Sequence, residues 1–146
     1  MDEAWELFIK SDYPSFGFML QNEATTVWER FELKKNCGMN SHNHPMYGAS
    51  YHWLYAYLLG LKPTAAGWAE FDVRPYLPEK LLSAFGSVET PYGDVTLRWV
   101  KRYGETHIYL TVPYGAKANV TLPWGEKVIA THGFNHYSKI EEEKHD

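Results

Sequence analysis

One glutamate of this sequence has a setting that suits acid–base chemistry. Glu29 directly follows Trp28 in the run ATTVWERFEL, which spans residues 24–33. A carboxyl group that an indole shields from water can serve as a general acid or a general base. Thr26 and Glu29 also have the spacing of a capping box, in which the glutamate bonds a backbone N–H at the start of a helix. Both roles fit the residues, and a capping or surface role is the more common one for a glutamate.

Three of the seven histidines lie within 20 residues after this run: His42, His44 and His52. An H-x-H pair can hold a metal ion from a loop or a strand. The pattern offers no carboxylate at close spacing and only Cys37 as a thiol, so hydrogen-bonding histidines are the better interpretation. A glycine-rich phosphate loop after a strand and a G-x-S-x-G elbow are both absent from the sequence. We therefore expect neither a metal ion nor another cofactor.

Helical patterns in the first sixty residues would position these groups. Acidic residues precede apolar ones at the amino terminus, which is typical of a short helix. Thr25 or Thr26 can cap a second helix, and residues 34–41 follow it as a loop. Ser50 is a good N-cap for a third helix, which Gly60 terminates. The predicted helices span residues 2–10, 24–33 and 51–59.

The rest of the chain changes to a period of two. Val95, Leu97 and Trp99 alternate with polar residues, and a similar strand follows the turn Tyr103-Gly104-Glu105, so the pattern predicts an antiparallel hairpin. Several short strands separated by turn residues indicate a β-sandwich, with Gly86 as a candidate bulge. The predicted strands span residues 68–74, 81–89, 94–102, 106–112, 118–122 and 127–130. The predicted domains are a helical part over 1–62 and a β domain over 67–140.

Composition excludes some classes of partner. Of the 146 residues, 45% are hydrophobic and 22% are charged, which is typical of a globular protein. The formal net charge of −4 and the lack of a basic stripe argue against nucleic-acid binding. No apolar run approaches 18 residues and no signal-peptide pattern follows Met1, so we expect no membrane partner. The single cysteine does not assign a compartment, and a parent protein could be cytoplasmic or exported.

Several motifs in order resemble those of one enzyme family. The run A-T-T-V-W-E-R-F, the run M-N-S-H-N-H-P-M-Y-G-A-S, the stretch F-D-V-R-P and the turn T-P-Y-G are similar to the late part of the glycoside hydrolase family 78 α-L-rhamnosidases. The resemblance covers about residues 13–137. It implies the last helices of an (α/α)6 barrel followed by a small antiparallel β-sandwich. The chain is then a C-terminal fragment, which agrees with a helical half too small to bury its own aromatic faces.

The resemblance also implies roles for four residues. Glu29 falls on the family's general base in an inverting hydrolysis, and His44 on a residue that hydrogen-bonds the sugar. Trp28 and Asn43 would shape or support the pocket, and the substrate of the full-length parent would be a rhamnoside. Nothing in this chain matches the family's general acid, so the fragment is expected to be inactive alone. The resemblance gives His42 and His52 no role in the site, so they are not expected to be metal ligands.

Two further expectations stand beside this one. The 16% aromatic content and the predicted sandwich also fit a non-catalytic carbohydrate-binding or structural module. Truncation of a helical barrel would expose apolar helix faces, so the fragment could self-associate through them. The residues named for that contact are Trp5, Phe8, Trp53 and Tyr57.

Overall fold

The computed structural model describes residues 1–33 and 41–140 and divides into two compact units. The first unit runs from Met1 to Trp53, and the second begins at Leu54. Of the loop predicted over residues 34–41, only Ser41 is among the described residues. Cys37 lies outside them. Within the described ranges, no helix has the length and apolar character needed to cross a membrane.

Two short helices open the first unit. Helix α1 (Asp2–Ile9) confirms the predicted amino-terminal helix. Helix α2 (Phe16–Gln21) was not predicted. Ser15 caps it, because the Ser15 hydroxyl accepts a hydrogen bond from the Phe18 N–H at 2.8 Å and donates one to the Lys10 carbonyl at 2.6 Å. The serine hydroxyl therefore ties the start of α2 to the end of α1.

The helix predicted over residues 24–33 is wrong. This stretch is irregular and bent, and its backbone pairs with residues 41–44. The Glu29 N–H donates to the Ser41 carbonyl at 2.9 Å, and the His44 N–H donates to the Val27 carbonyl at 2.9 Å. These long-range bonds satisfy the backbone in place of helical ones, and two threonines and a valine in succession favour an extended chain. The predicted capping box of Thr26 and Glu29 is therefore wrong as well.

An aromatic cluster fills the remainder of the first unit. The Phe8 ring stacks on Phe16 at 4.9 Å and on Trp53 at 5.3 Å, and Phe31 stacks on Tyr47 at 4.7 Å. Tyr47 belongs to a 3₁₀ turn and Trp53 to a short helix. These elements are the 3₁₀ turn Pro45–Tyr47 and helix α3 (Ser50–Trp53).

The second unit opens with a helical turn of a different kind. Leu54–Leu58 is a π-helix, so only the first part of the helix predicted over 51–59 is α-helical. Gly60 ends this segment with a φ of 71°, as predicted, because the left-handed region strains residues that carry a Cβ. Ala66–Trp68 forms a further 3₁₀ turn.

Within residues 1–33 and 41–140, eight strands form two four-stranded sheets. One has the order β1-β2-β6-β7 and the other the order β3-β4-β5-β8. All neighbouring pairs are antiparallel except β2 and β6, which are parallel. The strands are β1 (Leu61–Pro63), β2 (Glu70–Val73), β3 (Ser83–Thr90), β4 (Gly93–Arg102), β5 (Glu105–Val112), β6 (Lys117–Thr121), β7 (Lys127–Ala130) and β8 (Gly133–Ile140).

The strand pairing confirms the predicted hairpin β4–β5, and the strands predicted over 118–122 and 127–130 pair as the antiparallel hairpin β6–β7. Tyr103 and Gly104 both have positive φ values, of 52° and 73°, which is the geometry of a type I′ turn. Each sheet buries one apolar face. The strand side chains with 1% exposure or less are Phe71, Val73, Val95, Leu97, Trp99, Ile108, Leu110, Val112, Ala118, Val120 and Ala130.

Gly86 is not the predicted bulge. It pairs in unbroken register with Leu97 on β4. A Cβ at this position would lie 2.3 Å from the Leu59 Cδ1 atom, so any larger residue would force the Leu59 side chain to move. Nearby, the buried Trp99 indole N–H donates to the Leu58 carbonyl at 3.1 Å. Both contacts join the π-helical segment to the β3–β4 hairpin within the second unit.

Candidate functional site

Two backbone segments of the first unit hold the predicted site residues together. We call residues 26–29 and 41–44 the site ladder, because their backbones pair through the two N–H bonds given above. The Thr26 hydroxyl adds a hydrogen bond to the His42 carbonyl. The ladder places Trp28 and Glu29 on one segment and Asn43 and His44 on the other. The four predicted site residues therefore lie on two paired backbone segments.

The Glu29 carboxylate is anchored within this ladder. Its Oε2 atom accepts a hydrogen bond from the Ser41 N–H at 3.0 Å, while the Glu29 N–H donates to the Ser41 carbonyl. Glu29 and Ser41 therefore exchange two bonds, and the glutamate side chain is half-buried. A carboxylate has about four acceptor positions, so one backbone N–H leaves capacity for a water molecule. The arrangement orients the carboxylate and keeps it usable as a base.

Trp28 is a buried support for this glutamate. Its side chain is 2% exposed, and the His42 imidazole stacks on it at 4.4 Å with an angle of 16° between the planes. Trp28 therefore contributes packing from within the unit, and His42 covers one face of the indole. Sequence reasoning missed this role of His42, since the residue types alone do not pair a tryptophan with a histidine 14 positions later.

His44 has a defined hydrogen-bonding state. Its Nδ1 atom accepts from the Met46 N–H at 3.1 Å, and this bond caps the 3₁₀ turn Pro45–Tyr47. Because Nδ1 accepts, the neutral ring carries its proton on Nε2. Nε2 is then a hydrogen-bond donor, which is the chemistry needed to bind a sugar hydroxyl.

Ser41 is the residue that sequence reasoning missed. Besides its bond to Glu29, its hydroxyl donates to the Asn43 carbonyl at 3.0 Å and accepts from the Asn43 N–H at 3.2 Å. It therefore shapes the exposed turn that carries Asn43. No residue type in the sequence distinguishes this serine from an ordinary loop serine, because its main bond to Glu29 uses the backbone.

The histidines do not assemble a metal site within residues 1–33 and 41–140. No group of three or more histidine, cysteine, aspartate or glutamate side chains in these ranges is arranged to hold a metal ion. His42 stacks on Trp28, His44 caps a turn, and His52 lies in α3.

Comparison with known proteins identifies the relatives of both units. The family model described as bacterial alpha-L-rhamnosidase C-terminal domain matches residues 60–136, and the model of the bacterial alpha-L-rhamnosidase 6 hairpin glycosidase domain matches residues 1–58. An alpha-L-rhamnosidase from Alteromonas sp. (strain LOR) is 36% identical over 135 residues, which are 88% of this chain and 15% of the relative.

Solved structures give the same result. The native alpha-L-rhamnosidase from Aspergillus terreus matches 88% of this chain and 16% of its own, at 29% identity and a TM-score of 0.83. The Streptomyces avermitilis alpha-L-rhamnosidase, solved with L-rhamnose, matches 92% of this chain and 16% of its own, with a TM-score of 0.83 and 24% identity, so that likeness concerns the fold.

This chain therefore belongs to the bacterial α-L-rhamnosidase family and corresponds to its C-terminal part. It spans 15% of the length of the Alteromonas relative. The relatives are glycoside hydrolases.

Proposed function

We propose that this chain carries the general base of an inverting α-L-rhamnosidase of glycoside hydrolase family 78, and that Glu29 is that base. The observation that carries the proposal is the anchored Glu29 carboxylate, which the Ser41 N–H orients at 3.0 Å beside the buried Trp28. The substrate is a rhamnoside, in keeping with the names of the relatives.

The reaction needs Glu29 to accept one proton. The carboxylate removes a proton from water as the water oxygen bonds to the anomeric carbon, and the bond from that carbon to the leaving oxygen breaks. A second carboxylic acid protonates the leaving oxygen. Attack from the opposite face inverts the anomeric centre, and the two carboxyl groups then stand about 6.5–9.5 Å apart so that the water fits between them.

The neighbouring residues position the sugar. The His44 Nε2–H donates to a sugar hydroxyl, while its Nδ1 is held by the Met46 N–H. Trp28 supports the Glu29 backbone from the buried side, and Asn43 lies exposed on the turn that Ser41 shapes. The paired segments supply one rigid frame for these groups, which favours precise placement of the base.

We assign the two parts of the chain to different domains of the parent fold. The helices within residues 1–62 form part of an (α/α)6 barrel, and residues 67–140 form the C-terminal β-sandwich. Supporting this assignment, the six-hairpin family model matches residues 1–58 and the C-terminal model residues 60–136. The two sheets with buried apolar faces support the sandwich assignment.

The chain alone is inactive in this proposal, because no motif in it matches the general acid. Loss of one member of an acid–base pair lowers the rate by about 10²–10⁴-fold. Hydrolysis of an aryl α-L-rhamnoside by this polypeptide should not exceed the buffer rate, with the Streptomyces avermitilis enzyme as the positive control. Turnover clearly above buffer, at a rate proportional to protein concentration, contradicts the claim that the acid lies elsewhere.

Self-association is a separate part of the proposal. On α1, Leu7 is 36% and Ile9 40% exposed, and in the second unit Tyr57 is 38% exposed. Phe8 and Trp53 stack on each other, so they are less suited to an intermolecular contact than the sequence implied. Sedimentation should show concentration-dependent dimers or larger species, whereas a single monomeric species at high concentration contradicts this.

A non-catalytic module is the second candidate function. A cavity beside the half-buried Trp124 in the second unit favours it, because an indole can stack on the apolar face of a sugar. A chimera in which this chain replaces the matching part of the Streptomyces avermitilis enzyme distinguishes the two candidate functions. Activity that is unchanged by Glu29→Gln favours the non-catalytic module.

A further inference from the structure

The second unit contains a cavity that the proposed catalytic role of Glu29 does not use. Its volume is about 380 Å³, within the usual range for small-molecule sites. Lys101, Thr106 and Lys139 form one side, and they are register neighbours across β4, β5 and β8. Leu77 and the Pro123-Trp124 turn complete the wall. The cavity therefore combines a row of polar side chains with an apolar aromatic surface.

The Trp124 indole is held in place at the wall of the cavity. Its indole N–H donates to the Glu126 Oε2 at 3.2 Å, which fixes the ring relative to the turn. The ring is half-buried and lines the cavity, in contrast to Trp99, which is fully buried in the core. A fixed, partly exposed indole at a cavity wall offers an apolar face at little entropic cost, which suits the C–H face of a sugar ring.

Two lysines line the cavity, Lys101 and Lys139. The Glu126 carboxylate lies beside it and bonds the Trp124 indole N–H. The Lys101 ammonium donates to the backbone carbonyls of Pro78 at 2.7 Å, Glu79 at 3.4 Å and Leu77 at 3.5 Å. Those acceptors are neutral, and neither ion pair among residues 1–33 and 41–140 involves Lys101 or Lys139. Two lysine side chains thus line one cavity, and neither ammonium group has a carboxylate salt-bridge partner in these ranges. A ligand that carries a carboxylate would supply the missing charge.

We propose that this cavity binds a monosaccharide-sized acidic sugar, a hexuronate, with its ring on Trp124 and its carboxylate on Lys139. Lys101 adds a fixed positive charge at the back of the site. This binding function is separate from hydrolysis and requires no group of the site ladder. A ligand of this size with one stacking face and one charge contact should bind with a dissociation constant on the order of 1 mM.

Calorimetric titration of the whole chain tests the proposal. D-glucuronate and D-galacturonate are the probes, D-glucose and D-galactose are the neutral counterparts, and acetate is the carboxylate without a ring. The uronates should bind at least about tenfold more tightly than the neutral sugars and than acetate. Raising the salt from about 20 to about 200 mM should weaken uronate binding several-fold, because exposed charges are screened.

Substitutions assign the binding to this cavity. Trp124→Ala and Lys139→Met should each weaken uronate binding by about tenfold or more, while Trp124→Phe should retain most of it because a ring remains. Tyr114→Ala is the matched control, since Tyr114 is an exposed aromatic residue of the same unit that does not line the cavity. Melting curves and one-dimensional NMR spectra should show that every variant is folded.

Three results would overturn the proposal. The first is no uronate binding at concentrations up to about 50 mM, which is far above the expected constant. The second is binding that folded Trp124→Ala protein retains in full. The third is equal affinity for uronates and acetate, which would make the cavity a general anion site with no role for the indole.

Discussion

Gly86→Ala should destabilise the second unit, although the same change usually stabilises a strand. In most strands it favours the folded state by about 0.5–1 kcal/mol, because alanine loses less conformational freedom than glycine on folding. Here the new Cβ would meet the Leu59 Cδ1 at 2.3 Å and the Tyr55 Cε1 at 3.4 Å. Leu59 is 4% exposed and has little room to move. Overpacking costs about 1–3 kcal/mol. For a contact of 2.3 Å with a buried side chain we expect a cost of about 2–3 kcal/mol, so the net loss should be about 1–2 kcal/mol.

Urea unfolding, followed by tryptophan fluorescence, measures this loss. With a slope of about 2 kcal/mol per molar urea, in the middle of the usual range, a loss of about 1–2 kcal/mol lowers the midpoint by roughly 0.5–1 M. Ser87→Ala is the matched control, because Ser87 is the exposed neighbour of Gly86 on β3 and its truncation should change stability by less than about 0.5 kcal/mol.

A double mutant identifies the cause. Leu59→Ala alone should cost about 2–5 kcal/mol by leaving a cavity. Combined with Gly86→Ala, it should cost less than the sum of the two by at least about 0.5 kcal/mol, because the new methyl group fills part of that space. Neutral or stabilising behaviour of Gly86→Ala, or strict additivity of the pair, would refute the close-contact explanation.

Three other substitutions test the rest of the fold. Trp99→Phe should cost about 2–3 kcal/mol in urea unfolding, since it leaves a void and deprives the buried Leu58 carbonyl of its donor; a change below about 0.5 kcal/mol would contradict this. Gly60→Ala should cost at least about 2 kcal/mol, because its φ is 71° and the added Cβ would meet the Arg74 backbone at 2.1 Å; near-native stability would show that the turn can relax. Hydrogen bonds to Glu70, first from the Asn119 side-chain amide and then from the Lys117 ammonium, lower the pKa of its carboxyl group below the ordinary value of 4.5. The contribution of this carboxylate to stability is therefore present above pH 4.5 and is lost as the pH falls through the lower pKa of the folded state. Glu70→Gln should therefore flatten the acid side of the stability profile, and an unchanged slope would argue against this linkage.

The elements that the sequence predicted depend on local signals. Helix α1 has its acidic first turn, and the β4–β5 hairpin has strict alternation and a Tyr103-Gly104 turn, so a few neighbouring residues suffice for each. What the sequence did not predict depends mainly on distant partners. The missed strand β8 pairs with β5. The predicted strand over 68–74 is confirmed as β2, but its parallel pairing with β6, more than 40 residues away, was not predicted. Local patterns contain no information on such partners.

The candidate site shows the same division. The residue type and neighbours of Glu29 identified it as a candidate, and the family resemblance gave it a role. Its actual support comes from Ser41, 12 residues away, through a backbone N–H that any residue except proline could supply. His42 likewise covers Trp28 only because the site ladder brings them together. The predicted helix over 24–33 failed for this reason, because backbone pairing with 41–44 replaced the helical bonds.

The most direct test of the account is the effect of Glu29→Gln on the chimera with the Streptomyces avermitilis enzyme. If Glu29 is the general base, kcat should fall by about 10²–10⁴-fold with KM little changed and with folding intact. Glu3→Gln, which changes an exposed carboxylate on α1, should leave kcat within about twofold. A folded Glu29→Gln chimera with the kcat of the parent chimera would contradict the assignment of Glu29 as the base.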